Sequence, residues 1–221
     1  MKKLILLTFC ALSMLTASAQ RAISSSSSTI FSTEKTDEGV TFGIRGGLNS
    51  AVINVSNDHG SSYTTDSRLA WHVGVIADIP LMESLYFQTG LFFQNKGGQE
   101  EDEEGKYTMK PMYLEVPVLA SYRYNFSDDA QLQLNVGPYF AYGIGGKEVE
   151  EEHNGKEYEE DFFDDYTNKF DAGLQLGAGM TFMKTFYVGV AYQLGFSNIL
   201  KHSDDYSMKN RNWMFSVGYN F

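Results

Sequence analysis

The chain is short of cysteine, of proline and of positive charge. It has 1 cysteine and 4 prolines in 221 residues. With Cys10 alone, an intramolecular disulfide framework and a cysteine-built zinc site are both excluded. There are 17 Lys+Arg against 28 Asp+Glu, a formal charge of -11. That balance excludes the basic surface by which a protein holds nucleic acid, and no nucleic-acid partner is expected. No apolar run reaches the length of about 20 residues that a membrane-spanning helix needs. No His-x-x-x-His pair and no serine elbow is present, so zinc-hydrolase and serine-hydrolase motifs fail. What the chain does have is 16 Phe, 14 Tyr, 2 Trp and 21 Gly, a mixture rich in strand formers and poor in helix formers.

The first residues read as a targeting segment. Lys2 and Lys3 precede a short apolar stretch, Leu4 to Leu15, and Ala17-Ser18-Ala19 has the small-x-small form of a cleavage site. Residues 1–19 are therefore expected to be a signal peptide, with Gln20 as the new N-terminus. Cys10 leaves with it, and losing the two lysines takes the formal charge to about -13. Residues 20–39, with serine at every position from Ser24 to Ser28, alternate nowhere and read as a flexible tail.

From Val40 onward the hydrophobic period is two. Val40, Phe42, Ile44 and Leu48 alternate with Thr41, Gly43, Arg45 and Asn49. Runs of the same kind begin near Leu69, Leu85, Leu114, Leu132, Phe170, Phe186 and Trp213. Each has about the ten residues that a tilted membrane strand needs, and together they make eight strands over residues 40–221. The connections alternate in length. Tight ones are expected at Pro80–Ser84, Asn125–Asp129 and Met183–Thr185, and long ones over 50–67, 97–110, 146–168 and 198–210. Long loops on one end and short turns on the other are the rhythm of an up-and-down barrel.

One face of every run is nearly continuous Leu, Val, Phe, Tyr and Trp. The other carries Arg45, His72, Gln88, Glu115, Arg123, Asp171 and Gln175, with glycines between them. That charged set is too large for the dry core of a soluble barrel. Reversed, with the apolar face to lipid and the polar face to the lumen, it fits an all-β, eight-stranded antiparallel transmembrane β-barrel. Eight strands leave a lumen just filled by side chains, and the glycines make room for their larger neighbours. A carboxylate in so narrow a space needs a partner, so Glu115 is expected to pair with Arg45 or Arg123 rather than with a lysine. Pro117 and Pro138 lie inside strands and are expected to be taken up by local bulges.

Four segments carry a family resemblance. They are Tyr113-Leu-Glu-Val-Pro-Val-Leu119, Gly137-Pro-Tyr-Phe-Ala-Tyr142, Phe170-Asp-Ala-Gly-Leu-Gln-Leu-Gly-Ala-Gly179 and Tyr192-Gln-Leu-Gly-Phe-Ser-Asn-Ile199. In combination they resemble the PorT-like outer-membrane β-barrel family of Bacteroidetes, over about Phe42 to Phe221. Trp213, Phe215, Tyr219 and Phe221 resemble the aromatic-ended assembly signal of outer-membrane barrels. The resemblance implies an integral protein of the cell outer membrane, in contact with its lipid and inserted by the barrel-assembly machinery. The family name comes from a protein tied to secretion of surface proteases, but most members have no assigned activity, so that role is not carried over.

No catalytic set, cofactor or metal is expected. His59, His153 and His202 lie in long connections, far apart in sequence. Fifteen of the 28 acids fall in two of those connections. Glu100, Glu101, Asp102, Glu103, Glu104, Glu150, Glu151 and Glu152 read as a solvated surface, with weak cation bridging as the sharper alternative. The expected function is structural or interactive, through long acidic loops outside the cell, with a surface or secretion-system protein as the partner class. A narrow transport or secretion-accessory channel is the alternative.

Overall fold

Alternating residues point to opposite faces of a pleated strand, so the period of two commits each run to one apolar and one polar face. The computed structural model describes residues 39–57, 60–102, 105–127, 129–152, 156–201 and 206–221. The signal peptide, the tail as far as residue 38, Glu103, Glu104, His59, His153 and His202 lie outside the described residues.

Eight long antiparallel strands form the ring: β1 (Thr41–Asn57), β3 (Arg68–Met82), β4 (Leu85–Asn95), β6 (Gly105–Ser127), β7 (Ala130–Glu152), β9 (Phe170–Phe182), β10 (Phe186–Gly195) and β11 (Tyr206–Asn220). Three short strands attach to it: β2 (Ser62–Thr64), β5 (Gly98–Glu101) and β8 (Glu157–Asp161). Each long strand pairs with its neighbours in sequence, and β1 closes on β11 from Gly43↔Asn220 to Asn57↔Tyr206. Closure leaves no unpaired edge among the eight, the condition for a sheet in lipid. Phe42, Leu69, Trp71, Val73, Phe140, Phe215 and Val217 stand exposed on the outside. Arg45, His72, Gln88, Glu115 and Asp171 are buried inside.

Two expectations need correction. First, the segments read as loops at 97–110 and 146–168 are largely strand. β6 and β7 are 23 residues each and stay paired from Ser127↔Ala130 to Gly105↔Glu152. At about 3.3 Å per residue such a strand is roughly 75 Å long, whereas about 9–11 residues cross a bilayer. The ladder grows out of the barrel and carries Glu-rich sequence with it, where hydrophobic periodicity gives no signal. β5 and β8 flank this pair, making a four-stranded extension ordered β5-β6-β7-β8.

Second, Pro117 and Pro138 cause no bulge. Pro117↔Tyr139 and Ala120↔Val136 keep one register, with pairing merely lapsing between them. Thr89 Oγ1 donates to the Pro117 carbonyl at 2.8 Å across the similar gap towards β4. A missing donor costs a ladder bond, but it does not force an extra residue into the strand. Shifts fall instead between Pro80 and Met82 and between Met112 and Tyr113, beside the other two prolines, and between Asn125 and Ser127 at a short turn. At the second, Pro111 faces Gly146, whose φ of 142° suits glycine alone.

Candidate functional site: the filled lumen and its outer mouth

The lumen is occupied in layers. Nearest the short turns, Arg123 Nη2 meets Asp78 Oδ2 at 2.6 Å, and Gln88 Nε2 donates to Asp78 Oδ1 at 2.8 Å. The Arg123 and Arg45 guanidinium groups each lie 4.0 Å from a ring centroid, those of Tyr86 and Tyr187. In both cases the cation rests on a π face. Glycine makes this possible: a Cβ at Gly179 or Gly189 would run into the Tyr187 ring, and one at Gly173 would run into Tyr139.

Higher up, His72 bridges strands. Its Nδ1 lies 2.7 Å from Asn49 Oδ1 and its Nε2 lies 2.9 Å from Ser216 Oγ. Asn49 donates its own amide to the Asn95 carbonyl, so its Oδ1 is the acceptor and Nδ1 carries the ring proton. Nε2 is then free to accept from the Ser216 hydroxyl. Both nitrogens are used within the lumen.

Glutamines then link to the ionic centre. Gln94 Nε2 donates to Gln193 Oε1 at 2.7 Å. Gln193 Nε2 donates to Glu115 Oε1 at 2.6 Å and to Gln175 Oε1 at 2.9 Å. Glu115 Oε2 lies 2.8 Å from Lys96 Nζ, and the same ammonium lies 3.1 Å from Asp171 Oδ2. Lys96 is 1% exposed and stands 4.1 Å from the centroid of Tyr139. Asn210 Nδ2 and the Tyr139 hydroxyl also donate to Asp171 Oδ2. The space left at mid-lumen, between Arg45, Gln88, Glu115 and Gln175, is a cavity of about 50 Å³.

The expected Glu115–arginine pair is thus corrected: the partner is Lys96. Arg123 lies eight residues along β6 from Glu115, roughly 26 Å by strand rise, and its amide donates to Ser84 O at a short turn. Arg45 is turned towards Tyr187. Position along the barrel overrides the preference of a carboxylate for a guanidinium fork. Lys96, Gln94 and Asp78 were visible as polar-face residues by parity. Tyr113 and Tyr139 share the parity of Glu115 and Gly137, but an aromatic in a strand is readily taken as lipid-facing, so parity alone had to outweigh residue type there.

Above Lys96 the lumen turns apolar. Ile53, Val55, Met109, Phe162 and Ile199 form one buried cluster, with Tyr107, Phe163 and Met208 against it. Phe163 meets Tyr113 edge-on at 5.5 Å. Phe162, Phe163 and Ile199 come from long connections, so those connections fold back to cap the barrel.

The acidic residues divide by strand parity. Glu100, Tyr107, Glu150 and Tyr158 lie opposite one another across β5 to β8, and so do Glu101, Lys106, Glu151 and Glu157 on the other face. Glu152 belongs to the first face, beside a surface cavity of about 370 Å³ shared by Tyr107, Tyr158, Glu148, Glu150 and Glu160. Asp102 closes a turn, accepting from the Gly105 amide at 3.0 Å. Among the described residues no group of three or more His, Cys, Asp or Glu is placed to hold a metal ion. Neighbours in sequence point to opposite faces, so the consecutive carboxylates of each run do not converge on one side. On β11, Trp213, Phe215 and Tyr219 face outward. Phe221 follows, its amide donating to Phe42 O at 2.9 Å.

A family model described as an outer membrane protein beta-barrel domain matches residues 19–201. Among solved structures, the chain is similar to Ail, the attachment invasion locus protein of Yersinia pestis. Identity is 16%, with 83% of this chain and 100% of that one covered and a TM-score of 0.38. It is similar to the outer membrane protein OprG from Pseudomonas aeruginosa at 13% identity, covering 85% and 99%, with a TM-score of 0.46. For Neisserial surface protein A the identity is 11%, the coverage 83% and 98%, and the TM-score 0.42. No curated protein matches the chain.

Proposed function

Because the chain belongs to the family of outer membrane protein beta-barrel domains, we propose that it is a non-conducting barrel that presents an acidic sheet to a partner outside the cell. The observation that carries this reading is the lumen. Lys96, Glu115 and Asp171 lock its upper part, and an apolar cluster lies above them. A wet pore needs continuous polar space, and a cavity of about 50 Å³ at mid-lumen has room for a water or two.

The contact surface in this reading is the extension β5-β6-β7-β8. It stands beyond the length that lipid covers, and long connections of such barrels face outward from the cell. Its charge suits a basic partner. The partner in this reading is a surface or secretion-system protein, and the PorT-like segments support an origin in Bacteroidetes by resemblance. Lys2, Lys3, the apolar stretch Leu4 to Leu15 and Ala17-Ser18-Ala19 support export through a signal peptide ending at Ala19, and the resemblance supports insertion by the barrel-assembly machinery. In this reading the role is not enzymatic; His72, the one histidine among the described residues, is committed to Asn49 and Ser216.

Planar-bilayer recording of the refolded full chain tests the reading. No discrete conductance steps are expected. Reproducible steps would overturn it in favour of the narrow transport or secretion-accessory channel.

A further inference from the structure

Just above the Lys96 layer, the outer mouth encloses a cavity of about 230 Å³. Its floor is apolar, built from Val55, Met109, Phe162 and Ile199, with Met208 at the side. Its rim is not: Glu100 and Glu148 stand there with Tyr63 and Tyr107. Among the described residues no lysine, arginine or histidine lines it. Lys147, next to Glu148 in sequence, has the opposite strand parity and is drawn to Glu159 at 3.6 Å and Asp161 at 3.7 Å.

The geometry points to this mouth as a binding site for a small organic cation with an apolar body. Two carboxylates at the rim select positive charge. Each is held by a tyrosine: the Tyr107 hydroxyl donates to Glu148 Oε2 at 2.5 Å, and Tyr63 is hydrogen-bonded to Glu100. These contacts orient the carboxylates without neutralising them. The tyrosine rings offer further π faces to an ammonium. The apolar floor, with two flexible methionines, takes up the body of the ligand. An anion is refused by the rim. A bare metal ion gains nothing from the floor and finds no converging ligand set. The volume suits one compact molecule rather than a folded segment of a partner.

Glu148 is the residue that gains most. Burial raises its carboxyl above the ordinary range; the Tyr107 hydrogen bond works against this, while Asp164 and Glu160 add to it. An arriving cation relieves that unfavourable field. The inference goes beyond the proposed role as a surface contact and does not depend on whether the lumen conducts.

The test is titration calorimetry of the refolded full chain in bilayer nanodiscs. Three probes are compared at one ionic strength: 2-phenylethylammonium, methylammonium and phenylacetate. The first is expected to bind saturably, one per chain. Methylammonium should bind at least about tenfold more weakly and phenylacetate not at all. Glu148→Gln and Glu100→Gln should each weaken the first probe about tenfold. Met208→Trp, which fills the side of the cavity at unchanged charge, should abolish its binding. The faster migration of unheated protein on gels checks that every variant is folded. Equal binding of the two ammonium probes, or indifference to Met208→Trp, would show only loose counter-ions at an acidic surface and overturn the site. So would binding of phenylacetate, or no saturable binding at all.

Discussion

Replacing Lys96 with methionine should be the most damaging single change in the lumen. At an effective dielectric of about 20, charges 2.8 Å and 3.1 Å apart attract by about 6 and about 5 kcal/mol. Most of that is offset by the desolvation of three buried groups and by repulsion between the two carboxylates. What decides the outcome is the state left behind. Methionine keeps the volume, but Glu115 and Asp171 then face each other without a cation. Removing one partner of a buried ion pair typically costs about 3–5 kcal/mol. Gln193 still donates to Glu115, and Asn210 still donates to Asp171. Those bonds place the expected loss near the lower end, about 3 kcal/mol. The assay is urea unfolding of the refolded barrel in lipid vesicles, followed by tryptophan emission from Trp71 and Trp213. A second variant isolates the cause. Lys96→Met combined with Glu115→Gln and Asp171→Asn removes the stranded charges and keeps the shapes, so it should recover more than half of the loss. A single-variant loss below about 1 kcal/mol, or a triple variant no better than the single one, would refute the assignment of Lys96 as the counter-ion.

Three further outcomes can be checked. Gly47→Ala should destabilise the barrel by about 1–3 kcal/mol in the same assay, because its Cβ would fall on the Phe215 carbonyl oxygen of the paired strand; an unchanged midpoint would show that β11 yields there. A peptide tag inserted at Gly105, at the tip of the extension, should be labelled on intact cells, whereas labelling only after lysis would reverse the orientation proposed for the barrel. Deleting Phe221 should reduce the yield of assembled barrel, measured as the heat-modifiable gel band. It removes both the terminal aromatic and the amide that donates to Phe42 O at the seam.

Much of this molecule follows from its alternation alone. A period of two, a lipid length and tight turns at every second connection leave an antiparallel up-and-down barrel as the consistent solution. Parity then assigns Arg45, His72, Glu115 and Asp171 to the inside before any contact is known, because a strand has only two faces. Parity says nothing about height along the barrel axis. The pairing of Glu115 with Lys96 depends on register and tilt, which arise only when eight strands close on one another. The same limit explains the acidic extension. Its residues alternate glutamate with tyrosine, valine or more glutamate, so hydrophobic patterning is silent. They become strand because the ladder of β6 and β7 continues past the membrane. The cap of Phe162 and Ile199 over the lumen, and the cavity it leaves beneath Glu100 and Glu148, join segments up to about 150 residues apart. Only tertiary closure brings such segments to one mouth, since no local preference encodes a contact across that distance.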